Sequence, residues 1–269
     1  MTFPVYFPIF GQRVHPHLVM ELIAYSAGFQ LYLWQRRRAK AIGATPPGEA
    51  GLWIIVGCIL GALVGSKGLA WVESINQYWP HRDDPRAWLG GKTIVGGLLG
   101  GWIGVEIAKK RLGIKRSTGD LFVFPLIVGM SIGRIGCFLT GLEDHTYGVA
   151  TSLPWGVDFG DGIRRHPTQI YDIVVLVAMA CVFLIRSRRS HSHHNSSGEG
   201  RMFRWFMLGY LSWRFLAEFI KPREIRVPIL NLSAIQVASL AGAVVCIVLL
   251  ARPTIRARGF EVGTTNEVS

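Results

Sequence analysis

The sequence has 269 residues, half of them apolar and 17% charged, with a net charge of +12 and a mean hydropathy of +0.32. That is too apolar for an ordinary soluble domain and too long for a single membrane span. The basic residues cluster just beyond apolar runs, where lipid headgroups lie, and this argues against nucleic acid as their partner.

About 20 apolar residues cross a bilayer, and the chain offers seven such runs. The first, 18–35, has Arg13 before it and Arg36, Arg37, Arg38 and Lys40 after it. A signal peptide carries its charge ahead of the run, so this segment is expected to stay as a first helix. The second run, 51–72, spaces Gly57, Gly61 and Gly65 by four residues, and the third, 88–108, does the same with Gly96, Gly100 and Gly104. The fourth, 120–140, carries Gly129 and Gly133 and, within its apolar stretch, Arg134. Small residues let helices approach closely in lipid, so these stripes read as packing faces, with spans two to four expected to hold Arg134 in place. Residues 141–167 are rich in Gly, Pro, Asp and Trp and read as a small extracytoplasmic cap with turns and short strands. The fifth run, 168–186, opens with His166-Pro167-Thr168-Gln169-Ile170-Tyr171-Asp172, where Pro167 suits a first helical turn and Gln169 and Asp172 share a face. Residues 187–201 are polar and His/Ser-rich and read as a flexible cytoplasmic loop. The sixth run, 202–221, places Tyr210, Arg214, Glu218 and Lys221 on one stripe, and the seventh, 232–251, is plainly apolar.

The fold expected is therefore all-α and polytopic, one transmembrane domain of about seven helices. Four basic residues follow span one, five lie between spans three and four, five fall from Arg186 to Arg204 around the loop between spans five and six, and three follow span seven. The positive-inside rule then sets the N-terminus outside and the C-terminus in the cytoplasm. The four cysteines, Cys58, Cys137, Cys181 and Cys246, have neither disulfide-framework nor zinc-motif spacing, so no metal and no cofactor is expected.

Arg134 and Arg214 each carry a cost of about 2.5–3.5 kcal/mol near a bilayer centre. Together with Glu21, Asp172 and Glu218 they place charge on four spans, which points to a polar interior with a function. Arg stays protonated and grips phosphate with two parallel hydrogen bonds, so a phosphate-bearing lipid is the expected ligand.

Gly133-Arg134-Ile135-Gly136-Cys137-Phe138-Leu139-Thr140-Gly141 followed by Tyr147-Gly148 resembles the signature of the prolipoprotein diacylglyceryl transferase family. The resemblance continues through Pro154-Trp155, His166 to Asp172, Gly209-Tyr210, Trp213-Arg214-Phe215 and Glu218-Phe219. It implies transfer of the diacylglyceryl group of phosphatidylglycerol to the lipobox cysteine thiol of a prolipoprotein. It also implies a multi-pass protein of the bacterial cytoplasmic (inner) membrane, whose partners are an anionic phospholipid and a lipobox segment. Arg134 and Arg214 match the family's two essential arginines. Arg134, Gly136, Cys137, Gly148, Gln169, Asp172, Tyr210, Arg214 and Glu218 are the expected substrate-binding residues. Three positions depart from the family pattern: Val95 stands where the family has His, Cys137 where it has Asn, and Glu21 near the place of a tyrosine. Without that histidine, Glu21, His166 or a water takes the role of proton acceptor beside the two arginines, and Cys137 is expected to be dispensable. A transferase with another donor or acceptor, or a non-catalytic protein that binds anionic lipid, is the alternative.

Overall fold

The protein is described from a computed structural model covering residues 3–41, 48–84, 88, 90–115, 117–190, 200–222 and 231–252. Most of the expected 187–201 loop, residues 191–199, lies outside the described residues.

Two short strands, β1 (Phe7–Ile9) and β2 (Gln12–Val14), pair antiparallel ahead of the first helix. The turn between them uses Phe10 and Gly11 at positive φ. The helices that follow are α1 (Pro16–Ala41), α2 (Gly48–Glu73), the single turn α3 (Ile75–Tyr78), α4 (Ile94–Arg111) and α5 (Val123–Thr140). A two-residue hairpin, β3 (Val157–Asp158) and β4 (Arg164–Arg165), precedes α6 (Thr168–Ser190), α7 (Arg201–Ala217) and α8 (Ala234–Ala251). The β3–β4 hairpin falls in the segment where short strands are expected, whereas the β1–β2 hairpin is not expected; both lie outside the long helices. Among the described residues, four helical stretches are long and apolar enough to cross a membrane: Glu49–Glu73, Gly119–Asp144, Thr168–Ser187 and Ala234–Ala251. The other long helices, α1, α4 and α7, carry more charge, such as Arg36 to Arg38 on α1 and Glu106, Lys109, Lys110 and Arg111 on α4.

Helix ends follow local chemistry. Thr93 caps α4 by accepting from the Gly96 amide, and Ser233 with Gln236 forms a capping box at the start of α8. Gly141, at φ +71, ends α5 and turns the chain into a single 3-10 turn over 141–144.

The glycine stripes pack, but not as a set of three helices. Those of α2 and α4 meet each other in antiparallel register: a Cβ on Gly57 would lie 2.7 Å from the Gly104 carbonyl oxygen. Gly61 stands in the same relation to Gly100, and Gly65 to Gly96. On α5, Gly129 lies against Ala24 of α1, while Gly133 has open space around it. The helix bearing Arg134 is therefore held by α1 and α6 rather than by the α2–α4 pair. Between these pairs runs a core that includes Val95, Val123, Ile127, Leu176, Phe206, Met207, Tyr210 and Leu211. Outward-facing Leu60, Val64, Ile103, Val174 and Val244 are half exposed or more, the pattern of an apolar exterior.

Candidate active site

Three helix segments bring charge into the interior. Arg134 sits about 9 Å below the C-terminal end of α5, at 1.5 Å per residue. Asp172 lies one turn into α6, whose start is tied down where Thr168 donates to the Thr146 carbonyl and Gln169 donates to Thr146 Oγ1 at 3.2 Å. Tyr210, Arg214 and Glu218 form the expected stripe from α7 into the 3-10 turn after it, and all three are at most 5% exposed.

These residues meet at one carboxylate. Arg134 Nε lies 2.6 Å and Arg214 Nη1 3.4 Å from the same oxygen, Asp172 Oδ2. The indole of Trp213 donates to Asp172 Oδ1 at 2.5 Å. Arg214 also pairs with Glu218, whose carboxylate lies 3.7 Å from Lys221 Nζ. Arg134, Arg214 and Lys221 thus face Asp172 and Glu218, with the Glu73 carboxylate near Glu218 and Lys221 on the side away from Arg134. Beside them the Tyr210 hydroxyl and Arg214 Nε are buried without an aligned hydrogen-bond partner. Unused buried donors beside two guanidiniums can receive an anion.

A second group adjoins the first. Arg134 Nη1 lies 3.8 Å from Cys137 Sγ, one turn along α5. Across from Cys137, on the first turn of α1, His17 Nδ1 lies 3.0 Å from Asp144 Oδ1. Its Nε2 lies 3.6 Å from Glu21 Oε2, one turn further along α1. Lys92 reaches both Glu21 oxygens at 2.7 Å, and the Tyr25 hydroxyl donates to Glu21 at 2.7 Å. The turn begun at Gly141, together with His145 at φ 52, brings Asp144 back against α1. One ligand-type atom each from His17, Cys137 and Asp144 falls within 4.8 Å of the other two.

The structure therefore gathers Arg134, Asp172, Tyr210, Arg214 and Glu218, with Cys137 and Glu21 on the adjoining side. His166 is elsewhere: its Nδ1 lies 3.1 Å from the Tyr171 hydroxyl, and among the described residues it has no ion pair or hydrogen bond to the arginines. Gly148 is a packing position, since a Cβ there would lie 2.6 Å from the His166 Cβ. Gly136 is one too, facing Met20 of α1. Gln169 is fully buried, with its Oε1 lacking a hydrogen-bond partner. Val95, where the sequence pattern leads one to look for His, is 1% exposed and packs in the apolar core. Nothing in the sequence singles out Asp144 or Lys92, and His17 stands out there only by lying one turn before Glu21. The His17–Glu21 spacing of four residues was the one available signal.

On the hairpin side, Arg165 pairs with Asp161 at 2.7 Å and holds that exposed carboxyl below the usual carboxylate range.

The sequence profile of a family described as prolipoprotein diacylglyceryl transferase matches residues 4–252. Relatives named phosphatidylglycerol–prolipoprotein diacylglyceryl transferase include one from Geobacter sulfurreducens, 29% identical over 86% of this chain and 88% of its own length. One from Cupriavidus metallidurans is 32% identical over 74% of each chain. Another, from Methylobacillus flagellatus, is 32% identical over 78% of this chain and 81% of its own.

Proposed function

The chain belongs to the prolipoprotein diacylglyceryl transferase family, and from that premise we propose that it moves the diacylglyceryl group of phosphatidylglycerol to the lipobox cysteine of a prolipoprotein. The observation that carries this reading is the convergence of Arg134 and Arg214, from α5 and α7, on Asp172 of α6.

In the reaction a thiolate sulfur attacks a glyceryl carbon. The new C–S bond forms as the C–O bond to phosphate breaks, and the electron pair leaves on the phosphate oxygen as glycerol phosphate. The phosphodiester enters with one negative charge and departs as a monoester approaching two. Fixed positive charge in a dry site stabilises that growing charge more than it stabilises the substrate, which is the condition for rate acceleration. The paired guanidiniums of Arg134 and Arg214 suit the entering diester, and Tyr210 supplies a further donor beside both. Asp172 has a positioning role, holding two arginines close together when like charge alone would drive them apart. On the other side of Arg134, the acceptor thiol meets the group of His17, Glu21 and Asp144. Glu21 serves as proton acceptor there, with Lys92 stabilising its carboxylate.

All seven long helices cross the bacterial cytoplasmic membrane in this proposal, N-terminus outside and C-terminus in the cytoplasm. The start of α1, the end of α5, the start of α6 and the end of α7 then share the outer half. Residues 141–167 cap the bundle there: the Val149 amide donates to the Ile220 carbonyl at 2.8 Å, tying this segment to the end of α7. The site thus opens to the leaflet and compartment where a translocated lipobox emerges.

The test uses purified protein, phosphatidylglycerol labelled in its acyl chains and a lipobox peptide. Label is expected on the peptide through a thioether, with release of glycerol phosphate and none with a Cys→Ser peptide. Folded protein that labels no peptide would overturn the assignment. Val95 at the expected His position favours one second reading, a transferase of the same fold with a different donor or acceptor, and exchange of lipid or peptide in the same assay separates the two.

A further inference from the structure

We propose that His17, Cys137 and Asp144 form a zinc-type metal site whose fourth position takes the sulfur of the acceptor cysteine. The assignment rests on the acceptor being a thiol, as proposed above.

The geometry comes from three rigid places: the first turn of α1, the last turn of α5 and the 3-10 turn that follows it. One donor atom from each residue lies within 4.8 Å of the other two. His17 Nδ1 lies 3.0 Å from Asp144 Oδ1, an ion pair whose proton a metal ion bound between the two would replace. The other ring nitrogen, Nε2, faces the Glu21 carboxylate at 3.6 Å. A carboxylate behind the second nitrogen is the usual support of a metal-bound histidine, fixing its tautomer and ring orientation. Glu21 is itself held by Lys92 and Tyr25.

The ligand chemistry fits as well. A set of one imidazole, one thiolate and one carboxylate suits zinc, and three protein ligands leave a fourth position for water or substrate. The His17 and Asp144 side chains are 24% and 11% exposed, so the open position can be reached. Neutral imidazole with two anionic ligands balances a divalent cation. An incoming thiolate would add one negative charge, and Arg134, 3.8 Å from Cys137 Sγ, is placed to offset it.

The metal would lower the pKa of the acceptor thiol, and the proton released would pass to Glu21, the acceptor proposed above. A thiol that coordinates a divalent metal loses its proton outright and becomes a nucleophile at neutral pH. Once alkylated, its sulfur is a neutral thioether, a weaker ligand, and the product can leave. Arg134 stands between the metal and the phosphate cluster, so nucleophile and leaving group are held side by side. A direct nucleophilic role for Cys137 is chemically unattractive by comparison. Attack by Cys137 would join the glyceryl carbon to its own sulfur in a thioether, and a second thiolate does not displace that bond. Ligation keeps Cys137 unalkylated through the cycle.

Nothing in the spacing of positions 17, 137 and 144 announces a metal motif, because the fold alone brings them together. The test is metal content, read independently of transfer. Protein purified in detergent from zinc-supplemented cells and passed through a weak chelator is expected to hold about one zinc per chain. Cys137→Ser, Asp144→Asn and His17→Gln should each lower that content at least tenfold, with gel-filtration profiles unchanged. Cobalt exchanged into the wild type should show a thiolate-to-cobalt charge-transfer band that Cys137→Ser lacks. Its ligand-field bands should shift with a lipobox peptide and stay put with the Cys→Ser peptide. Wild-type protein without zinc above the buffer blank, or zinc kept by all three variants, would overturn the site. A shifted cobalt spectrum in protein that fails to transfer label would uphold the site and remove the transferase reading instead.

Discussion

Arg134 and Arg214 were conspicuous in the sequence because charge inside an apolar run needs a reason, and Asp172 and Glu218 stood out on the same ground. Their mutual geometry was not legible. Opposed positions around a phosphate were as compatible with the sequence as the arrangement found, in which both guanidiniums reach one oxygen of Asp172. The His17–Cys137–Asp144 group was hidden for a related reason. Each member has an unremarkable explanation alone, and they lie on segments distant in sequence. His166 shows the converse: it belongs to a legible motif, yet its ring faces Tyr171. For the arginines the expectation is quantitative. Arg134→Ala or Arg214→Ala should each lose about 3 kcal/mol or more of transition-state stabilisation, roughly a hundredfold in transfer rate. Arg→Lys should recover part of the rate, since a point charge replaces the planar fork. Because both arginines share Asp172, the double alanine variant should lose much less than the product of the single effects. Multiplicative losses in that cycle would show that the two act separately.

At the scale of elements, each long helix among the described residues overlaps one of the apolar runs, and four helical stretches are long and apolar enough to cross a membrane. Their ends followed from local signals such as Pro167 before α6 and Gly141 after α5. The N-terminal hairpin was missed because three-residue strands containing Pro8 and Arg13 give no alternating pattern. The glycine stripes were read correctly as packing faces, but periodicity on one helix says nothing about which helix it meets. Antiparallel register between α2 and α4 supplies that answer, and it makes a prediction. Gly61→Ala would drive a Cβ into the Gly100 carbonyl and push the helices apart, at a cost of about 1–3 kcal/mol. Gly68→Ala on the same helix meets nothing within 4 Å and should be neutral or stabilising by about 0.5–1 kcal/mol. Thermal melting of the two variants in one detergent decides the matter. Equal melting temperatures would mean that the α2–α4 contact is looser than described.

Across the whole molecule, the proposed orientation gathers every site element at one end of the bundle, although it was reached from the distribution of basic residues alone. Reporter fusions at Arg38, Arg116, Ser196 and the C-terminus should report cytoplasmic, and those at Asp84 and Asp161 extracytoplasmic. One reversed fusion between 116 and 196 would break the seven-span arrangement and move the site to the wrong face. Family membership, the buried arginine pair and the proposed outward opening of the site together make one central claim, that this chain lipidates prolipoproteins from phosphatidylglycerol. The most direct test is replacement in the cell. A bacterial strain depleted of its own prolipoprotein diacylglyceryl transferase should regain growth and diacylglyceryl-modified lipoproteins when it expresses this chain, and should regain neither with the Arg134→Ala, Arg214→Ala double variant. Accumulation of unmodified prolipoprotein despite wild-type protein in the membrane would contradict the claim.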